Sequence, residues 1–195
     1  MSKQHSFIAT LSAGGHEINC LGLSTEGQVI LEVPGGGPGK TVKGHKTLGF
    51  LHGTDEDFAH GQEMGTINFS KAKHSQPLHL YFRYSDKGYR LYVRGGIYYG
   101  QGVFLSPAGL LELQRIGSVD PTFWTICKPQ SHALLNITQD DQDQLDVTLS
   151  NAGGHPVYNQ GIWPVGGYLA SVPGASHHTY QLNILQRGVD WASAG

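Results

Sequence analysis

Apolar and polar residues alternate strictly over residues 78–84 and again over 89–94. A period of two marks a strand with one buried and one wet face. The cluster Ser85, Asp86, Lys87, Gly88 between the two runs predicts a tight hairpin, with Gly88 supplying the positive φ of the turn. Leu78, Leu80, Phe82 and Tyr84 then share the core face with Tyr89, Leu91 and Val93. The outward face carries His79, Tyr81 and Arg83 from the first strand and Arg90, Tyr92 and Arg94 from the second. Symmetric closure sets Arg83 opposite Arg90, Tyr81 opposite Tyr92, and His79 opposite Arg94. Like charges directly opposite one another are unfavourable, so this face is expected to meet an anion or an acidic side chain.

Similar short runs predict strands at 5–11, 18–23, 28–33, 47–51, 66–70, 121–127, 168–172 and 180–185, with a further strand in IYYGQGVFL. Trp124 is expected to anchor the core. Residues 132–138 and 145–151 alternate too, and predict a second hairpin around the Asp-rich turn 139–144. Ser106 before Pro107 is a plausible helix start, which makes 107–116 either a helix or a further strand. Segments TINFS, TICKP and NILQR place Ile67, Ile126 and Ile184 at nearly even spacing, a faint threefold repeat. The expectation is an all-β fold, one domain over residues 1–195, β-trefoil-like in preference to a two-sheet β-sandwich, with at most one short helix.

Composition supports this class. Charged residues are only 14% and glycines number 28, a balance of turn-rich β proteins. The net charge of −2 gives no overall attraction to nucleic acid, so none is expected as a partner. No segment reads as a secretory leader or a membrane span, so the default location is the cytoplasm. Two cysteines, Cys20 and Cys127, imply no disulfide framework. Each lies near a histidine (His16, His132), but inert thiols are the expectation.

Three stretches invite chemistry. Residues 34–41, PGGGPGKT, resemble a phosphate-binding loop, yet the first glycine of that motif is Pro34 and no helical pattern follows. Residues 52–65 read as a loop holding His52, Asp55, Glu56, Asp57, His60 and Glu63, potential metal ligands with no recognised spacing. Residues 151–167 read as a Gly- and Pro-rich loop gathering Tyr158, Asn159, Gln160 and Trp163, an aromatic with amides as sugar sites use. The sequence thus predicts a non-enzymatic, lectin-like carbohydrate-binding protein without cofactor or metal. Its ligand sits either on Tyr158, Asn159, Gln160 and Trp163 or, for an acidic glycan, on the Arg/Tyr face. Recognition of an anionic phospholipid headgroup by a membrane-active, toxin-like protein is the alternative, and a metal-dependent enzyme or inhibitor with a loop-built site the third.

Overall fold

The computed structural model describes residues 3–86 and 88–191. Lys87 of the predicted turn and the last four residues of the chain lie outside these. Six antiparallel strands form a closed ring: β1 (Phe7–Ala13), β2 (Leu80–Ser85), β3 (Gly88–Val93), β4 (Phe123–Cys127), β5 (Gln144–Asn151) and β6 (Tyr180–Arg187). Each pairs with its neighbours in chain order, and β6 returns to pair with β1. The sandwich expectation gives way here, because a closed ring leaves no open sheet edges. All-β, one barrel, is the architecture.

Three caps interrupt the ring, after β1, β3 and β5. The second and third are hairpins, Gly102–Leu105 with Leu111–Gln114 and Val157–Ile162 with Gly166–Ser171. The first is far larger. It holds two small two-stranded sheets, the strand Leu48–Leu51 that joins the third cap, and two helices. The caps are therefore unequal, and the proposed repeat fails at its first member. Ile126 and Ile184 lie in barrel strands β4 and β6, whereas Ile67 packs outside the barrel, with Phe58 and Phe69, in a second core cluster that also takes Leu110, Ile162, Val165 and Tyr168 from the other caps.

The barrel interior is filled by alternate residues of every strand. Phe7, Phe82 and Tyr89 form an aromatic knot, with Phe7 stacked on Phe82 at 4.6 Å, and Trp124 is wholly buried. The β2–β3 register is the predicted one: Arg83 faces Arg90 and Tyr81 faces Tyr92. The turn itself differs. Asp86 takes a positive φ of 43°, and Gly88 does not. Gly88 is needed for space: a Cβ there would run into the Phe123 ring and come within 2.7 Å of the Trp124 carbonyl oxygen.

Several other expectations are corrected. The loop 52–65 contains a helix, Asp55–Glu63, started by a capping box in which the Thr54 hydroxyl accepts from the Asp57 amide and Asp57 accepts from the Thr54 amide. A second helix, Leu21–Ser24, replaces the end of the predicted 18–23 strand. Two helices exceed the one expected, and neither is at 107–116, where Leu111–Gln114 is a strand. Residues 132–138 do not form a hairpin with β5, whose partners are β4 and β6. Leu135 and Ile137 are buried nonetheless, and Arg187 ties the following turn down.

Candidate functional site

The outward face of β1, β2 and β3 is only partly wet, where the alternation alone implied a solvent-exposed face. Ile8, Tyr81, Tyr92 and Val189 form a small apolar cluster on the outside of the barrel. The C-terminal strap creates it: the amides of Gly188 and Val189 donate to the Ser6 carbonyl at 3.0 and 3.3 Å, which lays Val189 across the strands. Trp191 follows, its ring 5.7 Å from Tyr81, 5.8 Å from Tyr92 and 5.4 Å from Tyr99. Tyr81 and Tyr92 are consequently buried, and burial pushes the Tyr81 phenol up.

Beside this cluster opens a cleft of about 700 Å³. Tyr81, Arg83, Tyr84, Tyr92 and Trp191 give it aromatic walls and a guanidinium; Lys3, Asp120, Asp190 and Ile116 stand around them. The charges are largely paired. Lys3 Nζ lies 3.4 Å from Asp190, and Arg90 Nε lies 3.7 Å from Asp120, with Arg90 also donating to the Pro121 carbonyl. Arg94 stacks on Trp191, Cζ 4.5 Å from the ring centroid, and donates to the Tyr99 hydroxyl at 2.8 Å.

Arg83 is different. It is exposed, and among the described residues no carboxylate lies within ion-pair distance of it. Its Nη1 reaches only the Tyr92 hydroxyl, at 3.5 Å. That contact and, further off, Asp120 raise its pKa, so its charge is fixed. The arrangement offers one unneutralised guanidinium on an aromatic floor, suited to a planar anion attached to a ring-shaped body. No family model matches this chain, and neither does any curated protein or solved structure. Function must be read from the cleft itself.

Of the predicted Arg/Tyr face, the structure gathers Tyr81, Arg83 and Tyr92 in the cleft, with Arg90 and Arg94 holding its walls. His79 points elsewhere, into a separate hollow of about 280 Å³ with Asn19, Ser75 and Ile97. The second predicted site is not gathered. Residues 157–162 form a strand, which sends neighbouring side chains to opposite faces. Asn159 Oδ1 accepts from the Tyr180 hydroxyl at 2.8 Å, Tyr158 lies edge-on to His178, and Gln160 follows Tyr158 on the strand's other face. Trp163 is exposed at the hairpin tip against His60. The metal candidates also disperse. Asp57 caps its helix, His52 lies by His16 and Phe50, and no group of three His, Cys, Asp or Glu converges among the described residues.

Lys3, Ser6, Asp120, Asp190 and Trp191 were absent from the predicted site, because they come from the two chain ends and a loop.

Neither cysteine is poised as a nucleophile. Cys20 is buried, its Sγ donates to the His45 carbonyl at 2.8 Å, and burial pushes its pKa up to about 11. Burial also raises the half-buried Cys127, and among the described residues no hydrogen bond joins it to His132. With a thiol reagent near pH 8, Cys20 should stay unlabelled in the folded protein, and Cys127 should label slowly. Both should label at once in denaturant. Fast native labelling of two thiols would contradict this. The shift also has a sign for stability: the native state holds the Cys20 proton more tightly, so stability falls as pH rises from about 9 toward 11.

Proposed function

We propose that this protein is a non-enzymatic carbohydrate-binding protein whose ligand is an acidic glycan held in the Tyr81–Arg83–Tyr92–Trp191 cleft. The observation that carries the reading is the unneutralised Arg83 beside aromatic rings in a concave site of ligand size. A sugar ring has apolar C–H faces that lie on aromatic rings, while its acidic substituent pairs with the guanidinium fork.

Asp120 and Asp190 set a limit on the ligand's charge. A doubly charged phosphate would face both carboxylates, whereas a single carboxylate matches Arg83, the cation lining the cleft that has no carboxylate within ion-pair distance among the described residues. Sugar acids with one carboxylate per residue are therefore favoured over phosphorylated ones.

A glycan array carrying neutral, carboxylated, sulfated and phosphorylated saccharides tests this directly. Carboxylated glycans should bind. Arg83→Gln should weaken them by about tenfold or more, the worth of one charge-assisted hydrogen-bonding pair. Trp191→Ala should weaken them by a similar factor. An array blank for every acidic glycan would remove the reading.

A further inference from the structure

The exposed large apolar residues of this chain are not scattered. Of the nine among the described residues, five (Ile97, Tyr99, Ile116, Val119 and Trp191) belong to two loops and the strap that border this cleft, Ile97 on the side of its loop that lines the neighbouring hollow. Scattered single apolar residues on a surface need no explanation; a concentration at one place does. Ile97 and Val119 are exposed to 79% and 68%, which is extreme for aliphatic side chains with no partner.

Both loops are built, not slack. The loop 94–101 is pinned by a 3-10 turn, Gly96–Tyr98, and by the Gly100 amide donating to the Val93 carbonyl at 3.0 Å. The loop 115–122 is held at its far end by Arg90, which donates to the Pro121 carbonyl and pairs with Asp120. Their positions relative to the cleft are fixed as well, since Gly100 and Ile116 both line it.

We propose that this rim seats on a lipid surface bearing anionic headgroups, with Ile97, Ile116 and Val119 entering the interface and Tyr99 and Trp191 lying at headgroup level. Charge complementarity selects this occupant. The chain carries a net −2, yet among the described residues Lys3, Arg83, Arg90 and Arg115 stand on the cleft and its loops beside two carboxylates, Asp120 and Asp190. A local cationic excess around apolar tips matches an anionic bilayer, where Arg meets headgroups, aliphatics meet acyl chains, and Tyr and Trp prefer the boundary. The cleft would then open toward the membrane plane and read what stands on it. This does not depend on which ligand fills the cleft.

Co-sedimentation of the full chain with vesicles of phosphatidylcholine alone, and of phosphatidylcholine with phosphatidylserine, tests the proposal. Partition onto the anionic vesicles should exceed that onto neutral ones by about tenfold and fall with added salt. The double variant Ile97→Ser, Ile116→Ser should lose about tenfold of that partition while keeping the wild-type unfolding midpoint, since neither side chain is packed. Failure of the anionic vesicles to retain the protein would overturn the proposal, as would wild-type partition of the double variant. A concentration-dependent dimer in sedimentation that the double variant abolishes would instead assign the rim to a second copy of the chain. A protein that sediments with vesicles but ignores every glycan keeps this inference and loses the acidic-sugar reading.

Discussion

Trp124→Ala should destabilise the fold by about 3–5 kcal/mol, a large share of what a domain this size possesses. The side chain is wholly buried, and β4 places it between Tyr89 of β3 and Asn151 of β5, in the middle of the barrel wall. Deleting the indole leaves a cavity that closed strands on both sides cannot collapse to fill. Trp124→Phe should cost far less, about 1 kcal/mol. The indole N–H has no hydrogen-bond partner among the described residues, so nothing polar is lost with it. Denaturant unfolding of the two variants measures the contrast. Equal losses would mean that the N–H, and not the volume, stabilises the barrel.

Arg187→Met should cost about 2 kcal/mol, on the scale of hydrogen bonds from charged donors. Its Nη1 donates to the carbonyls of Ile137 and Asp140 at 2.9 and 2.7 Å, and its Nη2 to Gln142 and to Asp143. One side chain at the end of β6 thus supplies the partners that the turn 137–143 lacks within itself. The variant should keep its barrel but become susceptible to protease cleavage within 137–143. Cleavage elsewhere, or none, would show the turn to be held by other means, such as the Lys128–Asp140 pair at 3.0 Å.

The sequence made the barrel's β2–β3 hairpin legible down to its register, because strict alternation over two runs admits a single pairing around a short turn. The same signal misled at 132–138. Alternation reports that Leu135 and Ile137 are buried, which they are, but not which strand they meet: the segment bonds to β4 around the Cys127–Leu134 bridge and does not pair with β5. Helix Asp55–Glu63 was hidden for the opposite reason. Its buried residues are only Phe58 and Gly61, too few for a helical period to show, although the Thr54–Asp57 capping pair was present in the sequence. The outward aromatic face was read as solvent-exposed since nothing local to Tyr81 or Tyr92 announces that residues 188–191 will cover them. The cleft was legible only in its floor. Its charged wall comes from the chain's two ends and from Asp120, and long-range juxtaposition leaves no trace in a local pattern. Tyr158, Asn159, Gln160 and Trp163 were grouped by nearness in sequence, which a strand undoes by sending neighbours to opposite sides.

Phe7 pairs with Arg187, so the first of the six barrel strands to be made waits for the sixth. Until β6 is synthesised, β1 and β5 each present an unmatched row of amides and carbonyls, and a chain cut short before residue 180 can never cover them. Such a fragment should add to copies of itself edge to edge, so premature termination yields aggregate rather than a smaller working protein.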